Sequence, residues 1–290
     1  MTTRRELIAG GVALAATGCA SYEAPPASHG GRKIAEIEKR IGGRIGVFAI
    51  NTETLSSLAH RHGERFAMAS TFKWLLAAAI LKQAEAGTLK LDHHLSYTSA
   101  DILPNSPITE AHLAEGSMTI EALCEAIVTV SDNCGANLLL AQIGGPAGLT
   151  KFLRDTGDRE TRLDRRELDL NENRRDDPRD TTTPMAMALT AERLLVRGGL
   201  SKPSQEKLHA WLIATRTGLD RLRAGLPGNW LAGDKTGTGG NGSHNDVAIA
   251  WPPGKRPILI ACYMSESPAP NADKAVAHAD IARIIADEWY

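Results

Sequence analysis

Strand-like segments stand at both ends of this 290-residue chain, and helix-like segments fill the stretch between them. Near the start, Arg44 to Asn51 alternates and branches like a strand that turns at Asn51-Thr52-Glu53, and a second strand is predicted from about Leu58 to Arg65. Strand character returns at Trp230 to Lys235, Asp246 to Trp251 and Ile258 to Tyr263. Helical patterns occupy Thr71 to Ala86, Thr119 to Val130, Asn137 to Ile143, Pro146 to Leu153, Met185 to Arg197 and Ser204 to Ala214. Ile34, Ile37 and Ile41 open the ordered chain with helical spacing, and Ile281, Ile284, Ile285 and Trp289 share one face of a closing helix. This order predicts an α/β protein in the α+β arrangement: an antiparallel five-stranded sheet drawn from both ends, flanked by helices, with an all-helical lobe inserted and a cleft at the seam. The sheet lobe would take residues 32–66 and 215–290, and the helical lobe residues 67–214.

The first residues have another character. Arg4-Arg5 precedes a small apolar run from Ala9 to Ala16 and then Thr17-Gly18-Cys19, which reads as an export signal over residues 1–18 with a twin-arginine pair. Gly18-Cys19 also resembles a lipoprotein processing site that would leave Cys19 as a lipid anchor. The apolar run is far shorter than the ~20 residues of a membrane-spanning helix, so no transmembrane segment is expected. Residues 19–31, rich in Pro, Ala, Ser and Gly, read as a linker, and residues 32–290 as the catalytic domain. The protein is thus expected to be periplasmic or otherwise exported, with Cys19 as the candidate tether, and monomeric.

Charge and metal chemistry narrow the function. Lys plus Arg number 33 against 34 Asp plus Glu, which excludes the basic surface nucleic-acid binding needs. Cys124, Cys134 and Cys262 lack CxxC spacing and are expected to be buried free thiols. His60-x-His62 and His93-His94 have no third ligand at zinc-like spacing, so neither a metal nor another cofactor is expected.

The candidate chemistry starts at Ser70-Thr71-Phe72-Lys73, which places a hydroxyl and an ammonium on one face where a helix begins. Backbone N–H groups and the helix dipole favour a developing oxyanion there, and a Lys whose pKa is lowered by burial can serve as base. A Ser-x-x-Lys recurs by chance about once in a chain this long. The second copy, Ser204-Gln205-Glu206-Lys207, reads as a helix start followed by solvated residues. Two further elements single out the first copy. Ser131-Asp132-Asn133 offers a hydroxyl and an amide between two helices, and Lys235-Thr236-Gly237-Thr238 offers a cation and two hydroxyls at a strand end, with a Gly that admits close approach to the backbone. Taken singly, a helix cap and an edge-strand turn account for them; together they surround a small anionic acyl substrate.

These three elements, in this order and spacing, resemble the class A serine β-lactamases. The resemblance covers roughly residues 32–290 and includes Arg162-Leu163-Asp164-Arg165, Glu167, Asn171, Asp180-Thr181-Thr182-Thr183-Pro184 and Arg221 to Pro227. It implies that Ser70 attacks a β-lactam carbonyl, with Lys73 and a water held by Glu167 as candidate acylation bases, and that Ser131 relays a proton to the leaving nitrogen. The Ser70 and Thr238 backbone N–H groups would form the oxyanion hole. Lys235, Thr236 and Thr238 would bind the substrate carboxylate, while Asn133 contacts the substrate amide side chain. Asp132 and Asn137 would brace the site, and Arg165 and Asp180 would pair across the neck of the charged loop at residues 156–183. Glu167 and Asn171 would activate the deacylating water. That carboxylate argues against a D,D-peptidase or penicillin-binding protein, which shares the Ser-x-x-Lys chemistry, and the Gly18-Cys19 pair alone suggests a silent lipid-tethered binding protein.

Departures from the family pattern are also plain. Leu168 follows Glu167 where many relatives have Pro, so a retained cis peptide would be a non-proline one. Ala69 and Gly239 stand where a subset of relatives has a disulfide, and Asn105 where an aromatic gate is common. His244 replaces an Arg that in many relatives meets the substrate carboxylate, which leaves Arg221 as the candidate for that task.

Overall fold

A computed structural model describes residues 29–290, so the export signal, Cys19 and most of the linker lie outside the described residues. The elements run α1 (His29–Ile41), β1 (Arg44–Asn51), β2 (Ser57–His60), β3 (Phe66–Ala67), α2 (Phe72–Glu85), β4 (His94–Ser96), α3 (Pro107–Ala111), β5 (Ser117–Thr119), α4 (Ile120–Thr129) and α5 (Asn133–Gln142). They continue with α6 (Gly145–Asp155), β6 (Thr181–Thr182), α7 (Pro184–Leu195), α8 (Lys202–Ile213), α9 (Leu222–Gly225), β7 (Leu231–Thr238), β8 (His244–Trp251), β9 (Ile258–Ser265) and α10 (Asn271–Trp289).

The five long strands form one sheet in the order β2-β1-β9-β8-β7, antiparallel throughout. The alternation of side chains along a strand explains how it is covered on both faces. Ile45, Val47 and Ala49 of β1, with Ile258, Ile260, Cys262 and Met264 of β9, bury against Ile34, Ile37 and Ile41 of α1 and Ile281 and Ile285 of α10. The intervening Phe48, Ile50, Leu259, Ala261 and Tyr263 face the other way, into a larger core with α2, α4, α5, α7 and α8. Helix α2 is buried at every position from Phe72 to Leu81, nine apolar residues and Lys73. Its first turn is thereby held at the centre of the molecule.

The ends of several elements depart from sequence expectation. Helix α1 begins at His29, so the last residues read as linker are helical, and Gly30 and Gly31 are buried. The strand expected through Arg65 stops at His60, where Arg61 turns at φ 43°, and Phe66–Ala67 pairs separately with Thr181–Thr182. Helix α5 starts four residues early because Asp132 caps it, accepting from Gly135 N at 2.8 Å. Strand β7 runs on through Thr238 in register with β8. The buried free thiols Cys124, Cys134 and Cys262 lie in these cores. Among the described residues, no helix is long and apolar enough to cross a membrane.

Candidate active site

A cavity of about 490 Å³ is lined by side chains from both the sheet and the helices: Ser70, Asn105, Ser131, Leu168, Arg221 and Thr238 among them. Asn133, Asn171, Thr217, Thr236 and Gly237 also line it. Ser70 sits in a 3-10 turn, Ala69–Thr71, that leads directly into α2, and Ala69 adopts φ 44° to make the bend. Asn245 secures this bend from β8, donating Nδ2 to Ala67 O and Met68 O at 2.9 and 3.1 Å. A Cβ on Gly237 would stand 2.6 Å from Met68 O, so the absence of a side chain lets β7 lie against the Ser70 turn.

Beneath the cavity floor, two lysines flank one hydroxyl. Lys73 Nζ donates to Ser131 Oγ at 3.2 Å, to Ser131 O at 2.8 Å and to Asn133 Oδ1 at 2.5 Å. Lys235 Nζ reaches the same Ser131 Oγ at 3.2 Å and donates to Thr236 O at 2.9 Å. Burial lowers the Lys73 pKa, against the opposing pull of Glu167, whose Oε1 lies 3.0 Å away. Burial first, and the Lys73 charge second, bring Lys235 down to about 7. Ser131 is held between them in a left-handed conformation, φ 63°, on the short connection between α4 and α5.

Asp132 is fully buried and accepts from Ile108 N, Thr109 N and Thr109 Oγ1 at 3.0, 3.0 and 2.9 Å, which ties the segment before α5 to α3. Asn133 lines the cavity, yet its amide also donates to Pro104 O at 2.7 Å. Asn105, in its left-handed bend at φ 59°, donates to Ser131 O at 3.1 Å.

The charged loop between α6 and β6 carries Glu167 to the cavity floor. Asn137 on α5 grips its backbone reciprocally, donating Nδ2 to Glu167 O at 2.9 Å and accepting Glu167 N at 3.0 Å. Asn171 Nδ2 donates to Glu167 Oε2 at 2.6 Å, while Asn171 Oδ1 is buried without a protein partner. The Glu167-Leu168 peptide is cis, and Leu168 is 40% exposed on the cavity wall. At the loop neck, Arg165 Nε donates to Asp180 Oδ2 at 2.6 Å, and Asp180 Oδ1 accepts Asp164 N and Arg165 N at 2.7 and 2.9 Å.

At the opposite end of the cavity, Arg221 donates to Thr238 Oγ1 at 2.8 Å and to Gly237 O and Asn245 O at 3.2 and 2.7 Å. His244 takes no part in the lining. It is buried beside His278, ring centroids 5.2 Å apart, and burial together with the Arg221 and Lys274 charges drives it down to about 3, so it is neutral at neutral pH. The second Ser-x-x-Lys lies on α8 well away from this cavity lining; Ser204 is buried, and Lys207 is paired with Glu121 and lies over the Trp211 ring rather than being freely solvated.

Several contributors gave no local sequence signal. Thr217, in the connection before α9, hydrogen-bonds Thr236 across 2.7 Å between hydroxyls and lines the cavity. Asn245, Asp246 and Asp234 are polar residues inside strands, where a single sequence offers no means of telling a buried brace from a solvent-facing position. Asp234 and Asp246 are both fully buried; Arg223 pairs with Asp234, and Leu222 N donates to Asp246 Oδ2 at 3.1 Å.

A family model described as the beta-lactamase enzyme family matches residues 31–289. The chain is 45% identical, over 255 residues covering 88% of it and 82% of the relative, to Beta-lactamase AST-1 of Nocardia asteroides. It is 39% identical, over 282 residues covering 96% of it and 90% of the relative, to a beta-lactamase of Streptomyces albus G. Among solved structures, an ancestral class A beta-lactamase (GNCA) matches with a TM-score of 0.89 at 49% identity, covering 90% of this chain and 100% of that one.

Proposed function

The chain belongs to the class A beta-lactamase family, and from that premise we propose how its cavity residues share the work of hydrolysing a β-lactam. It is a serine hydrolase of the β-lactam amide, an activity that destroys these antibiotics; penicillins and cephalosporins are the substrates we assign to it. Ser70 Oγ is the nucleophile and forms the acyl-enzyme ester. The candidate bases for the serine proton are Lys73 as the neutral amine, a form that burial favours, and a water held by Glu167. Ser131 then passes a proton to the leaving nitrogen, a role favoured by its place between two ammonium groups. The Ser70 and Thr238 N–H groups stabilise the oxyanion, worth about 10² to 10³ in rate per donor.

Lys235, Thr236, Thr238 and Arg221 hold the substrate carboxylate; Asn133 and Asn171 border the substrate amide side chain. Glu167, with Asn171, directs water onto the acyl ester. The observation that carries this reading is the buried carboxylate of Glu167, fixed by Asn137 and Asn171 beside Lys73. A D,D-peptidase reading, in which the acyl-enzyme is hydrolysed slowly, is not favoured by a site that sets the Glu167 carboxylate beside Lys73. We also assign export to the N-terminal segment, with Cys19 as candidate anchor, and a monomeric state. Steady-state assays with a penicillin and a chromogenic cephalosporin should give many turnovers per enzyme; one stoichiometric burst with a persistent adduct by intact mass would overturn the hydrolase reading.

A further inference from the structure

We propose that Asn173 is a positioning residue for the hydrolytic half of the reaction: its amide clamps the loop that carries Glu167 and Asn171 to the turn between β7 and β8. The proposal rests on the assignment of Glu167 as the base for deacylation.

Asn173 does not line the cavity. Its Nδ2 donates to Gly240 O at 3.0 Å, and lies within 3.3 Å of Ser265 Oγ and 3.4 Å of Asn241 O. One side-chain amide therefore gathers three segments: the loop, the β7–β8 turn and the end of β9. The turn reciprocates, since Gly240 N donates to Asn171 O at 2.7 Å. Both backbone polar groups of Gly240 thus bond to the loop, at residues 171 and 173, while Gly240 O also accepts Ser243 N at 3.0 Å within the turn. A Cβ on Gly240 would meet Glu172 O at 2.6 Å, so loop and turn are in backbone contact. Asn173 itself holds φ 48°, a conformation that Asn, Asp and Gly enter at little cost.

Asn171 lies between two restraints. On one side is the Arg165 anchor, which reaches Asp180 at 2.6 Å and Glu172 at 2.8 Å; on the other is the Asn173 clamp. Arg175 also reaches toward Glu266, but at 3.6 Å and with its side chain 73% exposed, a pair that contributes little in water. Because Asn171 donates to Glu167 Oε2, any drift of this end of the loop is passed to the carboxylate. Water activation is sensitive to sub-ångström placement of Glu167, whereas the backbones that carry Ser70, Lys73 and Ser131 belong to the turn before α2, to α2 itself and to the α4–α5 connection, not to this loop.

The test measures acylation and deacylation separately, by stopped-flow and steady-state kinetics with a penicillin, in Asn173→Gly and Asn173→Asp. Glycine removes the amide while tolerating the left-handed backbone, and aspartate keeps size and turn preference but supplies no donor. Both variants should deacylate about 10-fold more slowly while acylation changes by less than about twofold, so kcat and KM fall together and the acyl-enzyme accumulates by mass. Equal loss in both steps, or a lowered Tm with an unchanged ratio of the two rates, would overturn the proposal. Glu167→Gln run alongside separates the two assignments. If it fails to trap the acyl-enzyme, the base assignment falls; if it traps while the Asn173 variants partition like the parent, the clamp alone falls.

Discussion

Lys73 Nζ and Glu167 Oε1 lie 3.0 Å apart, and neither side chain has any solvent-exposed surface. The Glu167 carboxylate is therefore the chief compensation for taking the Lys73 ammonium out of water, and a change at one must be felt at the other. Burial lowers the proton affinity of Lys73 and the Glu167 charge opposes that loss. The pair thus sets the ammonium between a structural ion and a usable base.

Glu167→Gln removes the negative partner and the candidate base together. Deacylation should slow by about 10² to 10⁴ while acylation remains detectable, and intact mass should show the enzyme carrying an opened lactam. Multiple turnover at the parent rate would assign the water to another group.

Arg221 and His244 should rank unequally. Arg221 lines the cavity and bonds Thr238 Oγ1 at 2.8 Å, whereas His244 is neutral and packed against His278. Arg221→Ala should raise KM for a carboxylate-bearing substrate by about 10- to 100-fold, the loss of one charge-assisted contact. His244→Ala should leave KM close to the parent value, and the reverse ranking would refute the assignment.

The loop neck should be fragile. Asp180 accepts two backbone N–H groups and the Arg165 guanidinium, and Asn at the same place would turn an amide NH₂ or a weaker acceptor toward that guanidinium. Asp180→Asn should cost about 2 to 3 kcal/mol, somewhat less than a fully buried pair because Arg165 keeps partial contact with water. Urea unfolding measures the loss, and deacylation should suffer more than acylation.

Asp246 should contribute a component of stability that declines with rising pH, opposite in sign to that of the ion-paired carboxylates such as Glu38. Burial first and the Asp234 charge second hold its carboxyl well above 3.8. The folded protein therefore keeps a proton that the unfolded chain releases, a contribution present below the ordinary carboxylate range and lost as pH climbs toward the folded-state value. The associated slope is at most about 1.4 kcal/mol per pH unit for one proton. Asp246→Asn should flatten it in urea midpoints taken across that range; an unaltered slope would place the proton elsewhere.

Much of this was open to reading along the chain. The strands at both ends and the apolar α2 follow from periodicity, because a sheet covered on two faces and a helix buried on all sides leave different spacings of Ile, Val and Leu. The motif residues Ser70, Ser131, Lys235 and Thr238 also announce themselves, and the structure brings Ser70, Ser131 and Thr238 to one cavity lining with Lys235 bonded to Ser131 Oγ beneath it. What stayed hidden depends on long-range contact. Nothing next to Thr217 predicts its meeting with Thr236, and nothing next to Asn173 predicts Gly240. The stop of β2 at His60 turns on Arg61 accepting a left-handed bend, a choice that propensity does not favour and that tertiary packing imposes.

Strand β9 lies between β1 and β8, so the first and last thirds of the polypeptide complete one another's hydrogen-bond ladders. A nascent chain with its C-terminal strand still in the ribosome or an export channel has Ser70 and Lys73 already made but nothing to seat Lys235 against them. Assembly of the site therefore waits on both ends of the chain, since without β9 nothing joins β1 to β8 and the β7 that carries Lys235.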